Sequence, residues 1–248
     1  MSLTQRLSFS FVIFPLFLAG SATAAPFLLE NLSTGVDSNG NRIAVGSLGQ
    51  VVDDPFWDVT PPSGPTDDAR VTLQATQWVT SGSLPAVGTP PDNPGAAWIS
   101  TRDDSRTSAP SAPAGTYTYQ RQFTVTDPAS LFIQGRFWVD NTVNQLLLNG
   151  SNVTFTRNTP TATNNHATNN WSSFTIPENL FNSGLNTLSF VVQNGTGASG
   201  NPTGLLVQAG LYVSVPELDA ASALLPTSIL ALLAMLIWDR RKRATPAA

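Results

Sequence analysis

Residues Tyr117-Thr-Tyr-Gln-Arg-Gln-Phe-Thr-Val125 alternate strictly, so Tyr117, Tyr119, Arg121, Phe123 and Val125 share one side of an extended chain. A period of two makes a half-buried strand; a helix needs an apolar stripe of period 3.6. The same alternation recurs over 71–79. Residues 129–139 carry Leu131, Ile133, Phe137 and Trp138 around Gly135, and a glycine inside such a run predicts a bulge or a close backbone approach. Segment 143–148 runs into Asn149-Gly150, a strong hairpin-turn pair, and predicts a hairpin with 153–156. Segments 171–176, 187–193 and 204–213 complete the set. Pro61-Pro62, Pro90-Pro91 and 110–115 read as loops. Short strands separated by turn signals predict an all-β fold, an antiparallel jelly-roll β-sandwich. Its core is expected to hold Phe123, Ile133, Leu148, Leu188 and Phe190.

The chain has no cysteine, so an exported domain of this composition has no disulfides and relies on its core. A domain of this size buries roughly 70% of its unfolded surface, which makes that feasible. Lys242 is the only lysine, and the net charge is −4. Within 26–214, acids outnumber arginines nearly two to one. No basic patch is left for nucleic acid or anionic lipid.

Both ends carry targeting patterns. Residues 1–25 place Arg6 before a short apolar core and finish in Ala22-Thr23-Ala24, a small-x-small site, with Ala25 next. This is the layout of a secretory signal peptide. At the other end Val215-Pro216-Glu217 precedes an apolar stretch, 220–238, and the basic cluster Arg240, Arg241, Lys242 and Arg243, with a short tail at 244–248. An apolar helix of roughly 18 residues rises about 27 Å, close to the hydrocarbon thickness. The basic cluster is expected to stay cytoplasmic, leaving 26–214 outside.

The three-part segment 215–243 resembles the PEP-CTERM sorting signal of exosortase substrates in Gram-negative bacteria. The family's second proline is absent, and Leu218 follows Glu217. The resemblance implies export, an inner-membrane intermediate, cleavage near Pro216-Glu217 by an exosortase-like enzyme, and delivery to the cell surface or extracellular matrix. The alternative is a plain membrane anchor that is never cut.

A second resemblance covers about 95–213. It rests on Ala97-Trp-Ile-Ser100, Gly115-Thr-Tyr-Thr-Tyr119 with Phe123, Ile133-x-Gly135, Asp140-Asn141, Leu148-Asn-Gly150, Phe174-Thr-Ile-Pro177, Gly184-Leu-Asn-Thr-Leu188 and Asn201-Pro-Thr-Gly204. The order is similar to the galactose-binding-like jelly roll. That family hosts lectins, enzyme accessories and spacers, so the resemblance implies the fold more than a function.

The residues do not favour an enzyme. His166, the only histidine, sits in an Asn-rich loop without a nucleophile elbow. The carboxylate pairs Asp53-Asp54, Asp67-Asp68 and Asp103-Asp104 are adjacent residues in Pro- and Gly-rich segments, a poor match to the two facing carboxyls of a glycosidase. Asp37-Ser-Asn-Gly-Asn41 offers Asp37, Asn39 and Asn41 as oxygen ligands for a structural calcium ion; Asn39-Gly40 equally makes a hairpin turn. Trp57, flanked by Asp53, Asp54 and Asp58 in a loop, is the candidate stacking platform for a polysaccharide. Arg121 and Arg136 are strand residues expected to snorkel or to pair with an acid such as Asp140. The expected function is a non-enzymatic surface or matrix protein that binds polysaccharide. The alternatives are a structural spacer and a secreted glycoside hydrolase.

Overall fold

Alternation becomes structure most directly in the strand Gly115–Val125, where Tyr117, Tyr119, Arg121, Phe123 and Val125 are all buried. The computed structural model describes residues 26–44, 51–72, 78, 95–102, 112–157, 171–195 and 201–214, all within one compact unit, Ala25–Val215. The segments read as a signal peptide, 1–25, and as a sorting signal with an expected helix over 220–238, together with His166 and Asp103-Asp104, lie outside the described residues. No described helix is long and apolar enough to cross a membrane.

Twelve strands are described: β1 (Phe27–Asn31), β2 (Asp53–Thr60), β3 (Asp67–Val71), β4 (Ile99–Ser100), β5 (Gly115–Val125), β6 (Leu131–Asp140), β7 (Thr142–Leu148), β8 (Ser151–Asn152), β9 (Phe155–Arg157), β10 (Ser172–Ile176), β11 (Gly184–Asn194) and β12 (Gly204–Val213). Every pairing is antiparallel. The order is β8-β7-β11-β5-β2-β3-β4-β12-β6-β10-β9, with β1 also on β12. The sheet curls until its two arms face each other. Phe190 of β11 meets Phe137 of β6 edge-on at 5.2 Å and Phe174 of β10 at 5.9 Å. Such pairs add about 0.5–1.5 kcal/mol each beyond the area they bury. The five expected core residues, Phe123, Ile133, Leu148, Leu188 and Phe190, are all buried.

Local chemistry explains the turns. Asn149 and Gly150 both have positive φ, 53° and 79°, as a two-residue turn of the I′ type requires. The expected hairpin partner, 153–156, is displaced: Ser151–Asn152 pairs with β7, Val153 N–H still donates to the Leu146 carbonyl at 2.8 Å, and Phe155–Arg157 crosses to β10. Gly135 is a close approach and not a bulge. The β6 register runs unbroken past it, and a Cβ there would lie 2.5 Å from the Ala209 Cβ.

Of the strand read over 71–79, Val71 is the last residue of β3, and 73–77 and 79 lie outside the described residues. One expectation is corrected. The segment around Trp57, read as a loop, is strand β2. Pro55 obscured it, because proline is rare inside a strand. The strand tolerates it through a bulge: Asp53 faces Arg70 and Asp58 faces Asp68, so residues 54–57 oppose Ala69 alone.

Candidate functional site: a groove over Arg121

The bulge in β2 leaves backbone donors without ladder partners, and Asp54 takes them. Its carboxylate accepts the N–H groups of Phe56 at 2.9 Å, Trp57 at 3.2 Å and Gly35. Asp54 is 1% exposed. Desolvation pushes its pKa up to about 6, against the lowering pull of those N–H groups and of the nearby Arg121 charge. Asp54 is therefore a buried plug for the bulge and not the surface ligand expected.

Trp57 is also corrected. Its ring is fully buried, 5.9 Å from Phe190, and its Nε1 donates to the Ser33 carbonyl at 3.2 Å. No indole face is left for a sugar. Asp53 is exposed and 3.8 Å from Arg70. Asp58 is half-buried; desolvation and then Asp68 and Asp67 raise its pKa. The four residues expected to form one site thus point to separate environments.

The residue beside Trp57 is the informative one. Phe56 stays half-buried, and the Arg121 guanidinium lies over its ring at 4.6 Å. Arg121 is 2% exposed; its Nη2 donates to Glu30 Oε1 at 2.9 Å and its Nη1 to the Ser33 carbonyl at 3.3 Å. Its Nε has no partner. Burial lowers the Arg121 pKa, and Glu30 and Asp54 oppose that shift. These groups form the floor of an open groove of about 440 Å³, lined by Leu29, Glu30, Asn31, residues 37–40, Phe56 and Arg121.

The Asp37 loop forms the far wall and is a turn. Asp37 Oδ1 accepts the N–H groups of Asn39 and Asn41, each at 2.9 Å, and its Oδ2 accepts the Asn41 amide at 3.3 Å. Gly40, at φ 78°, donates to the Asp37 carbonyl at 2.9 Å. The Asn41 N–H leads in holding the Asp37 carboxyl below its usual pKa. Both carboxylate oxygens serve the turn, and among the described residues no group of three acids or histidines is placed to hold a metal. Of the two readings of Asp37, Asn39 and Asn41, the hairpin turn is formed by the loop's own hydrogen bonds. Asn39 lines the groove together with Phe56, the neighbour of Trp57.

Glu30, Asn31 and Phe56 were missed from sequence. Phe56 was hidden by Trp57, since a bulge decides which of two neighbours faces outward. Glu30 gave no signal, because its partner Arg121 is 91 positions away.

No protein-family model matches the chain, and neither does any curated protein. The fold and the groove define an antiparallel all-β protein with a polar, aromatic-walled surface site.

Proposed function

We propose that this is an exported surface or matrix protein whose β-sandwich, of the galactose-binding-like jelly-roll kind, binds polysaccharide in the groove over Arg121. The observation that carries the reading is the pairing of Phe56 with a fixed set of polar groups. An aromatic ring offers a hydrophobic wall for the C–H face of a pyranose, and Arg121, Glu30, Asn31 and Asn39 supply donors and acceptors for its hydroxyls. A charged ligand is disfavoured, since Glu30 already neutralises Arg121. The acids argue for binding over hydrolysis. Glycoside cleavage needs a carboxyl that holds a proton, whereas Asp37 in the groove is held below its usual pKa by its own loop.

Export and sorting rest on the sequence at both ends. The signal-peptide layout supports secretion through the export machinery. Pro216-Glu217, the apolar stretch and Arg240 to Arg243 support processing by an exosortase-like enzyme at the inner membrane, then release to the surface of a Gram-negative cell. A shallow site of this kind binds in the millimolar to high micromolar range, about −4 to −6 kcal/mol, and repeated display on a polymer offsets that weakness.

A glycan array probed with the purified protein tests the binding claim, followed by titration of a neutral hit with Phe56→Ala and Asn39→Ala. Binding that both variants weaken supports the groove. No neutral glycan bound by the wild type leaves a spacer role.

A further inference from the structure

The other arm of the sandwich carries a cation with no counter-ion among the described residues. Arg136 sits on β6, on the face turned away from the main core, where its cross-strand neighbours are Gln208 of β12 and Ser173 of β10. Arg136 is 8% exposed. Its Nε donates to Gln208 Oε1 at 3.1 Å, a neutral acceptor, and its Nη2 has no partner. Asp140, the acid expected to pair with it, instead accepts from Trp78 Nε1 at 2.7 Å and from the Asn141 amide. The guanidinium lies 5.4 Å from the Trp138 ring and 5.8 Å from the half-exposed Trp171 ring. Trp138 Nε1 is a second buried donor without an acceptor.

Two buried donors of one cluster are therefore unmet, and one belongs to a permanent cation. Indole faces offset part of the cost of burying that charge, but they accept no hydrogen bond from Nη2 in its plane. The missing partner is an acceptor with negative charge. Beside the cluster on the same sheet face, Ser173, Thr175 and Gln134 are exposed, and Trp171 is half-exposed. A planar carboxylate matches the guanidinium fork, and a ring beside it matches an indole.

We propose that the Arg136–Trp138–Trp171 cluster binds the carboxylate of a uronate-bearing saccharide, at a site separate from the groove over Arg121. The carboxylate takes the free Arg136 Nη2–H, and the half-exposed face of Trp171 covers the pyranose that bears it. Ser173 supplies a hydroxyl at the rim. The site does not depend on the groove. A chain with both would hold acidic and neutral segments of one matrix on opposite arms of the fold.

The test titrates the purified full chain with polygalacturonate, following tryptophan emission, beside parallel titrations with dextran and polyglutamate. The expected result is saturable binding of polygalacturonate, weakened about tenfold or more by Arg136→Gln through loss of a charge-assisted hydrogen bond. Trp171→Ala, at the rim, is expected to weaken it as well. Phe56→Ala is expected to leave it unchanged, which separates this site from the groove. Failure of the wild type to bind polygalacturonate overturns the proposal. Unchanged binding by folded Arg136→Gln and Trp171→Ala does so too. Equal binding of polyglutamate shows charge attraction without a sugar site and also overturns it.

Discussion

Trp57 and Arg121 are cross-strand partners on β2 and β5, and both donate to the Ser33 carbonyl, at 3.2 and 3.3 Å. One backbone oxygen thus fixes an indole in the core and a guanidinium at the floor of the groove. The segment after β1 is tied to β2 and β5 at the same point. Stability and the candidate site share this joint, and the substitutions around it separate them.

Glu30→Gln is expected to destabilise more than Arg121→Met. The first leaves a buried cation facing only Asp54, costing roughly 2–3 kcal/mol, less than loss of a partner in a fully buried pair. The second removes the buried charge and leaves Glu30, a third exposed, to water; about 1 kcal/mol is expected. Urea unfolding of both variants and of the double variant measures the order. The reverse order means that the pair is not what holds Arg121.

Asp54 gives a pH dependence of defined sign. Its folded pKa is about 6 and its ordinary value 3.8, so between those values the folded state binds more protons than the unfolded one. Stability from this group is greatest at and below pH 4, falls as pH rises toward 6, and is level above that. The span is about 3 kcal/mol at about 1.4 kcal/mol per pH unit. Unfolding measured from pH 4 to 8 is expected to show this slope in the wild type and lose it in Asp54→Asn. An unchanged slope in the variant assigns it to other groups.

Trp57→Ala and Phe56→Ala are expected to fail differently. Removing the buried indole costs about 3–5 kcal/mol through lost contacts and a cavity. Phe56→Ala removes a half-buried ring and is expected to cost about 1–2 kcal/mol by area, while weakening saccharide binding. Melting curves with parallel ligand titrations distinguish them. A Trp57→Ala protein as stable as wild type contradicts the core placement.

Gly135→Ala tests the close approach between β6 and β12. The added methyl meets the Ala209 Cβ, the Gln208 carbonyl and the Phe174 ring, all within 3 Å. Overpacking of this kind costs about 1–3 kcal/mol. An Ala209→Gly partner change is expected to recover part of the loss; no loss in the single variant removes the contact from the account.

Sorting is testable in cells. Replacing Pro216 and Glu217 by alanine is expected to leave the full-length species in the membrane fraction, read by blotting fractions for the shorter mature form. Maturation and release from the membrane at the wild-type rate show that Pro216-Glu217 is not the recognised segment and overturn the sorting proposal.

How much was readable depended on how local the cause was. The faces of β5 and the Asn149-Gly150 turn follow from neighbouring residues, because alternation and positive φ are properties of a few consecutive units. The Asp37-to-Asn41 turn was weighed from the same kind of local chemistry, and its carboxylate caps its own loop. The strand β2 was missed because Pro55 argues against a strand unless something absorbs the irregularity. That something is Asp54, whose carboxylate serves Gly35, from a distant segment, as well as its own bulge.

The amino-acid sequence by itself determined the all-β class, the faces of the long central strands and the residues that fill the core. Those follow from short-range periodicity and from the exclusion of apolar side chains from water. Only the tertiary structure decided which aromatic of the Phe56-Trp57 pair is outward and that Arg121 finds Glu30. It also decided that Asp140 turns to Trp78 and leaves Arg136 unpaired. Each of these is a partnership across tens of residues, fixed by sheet register and by the bulge, and no local pattern encodes it.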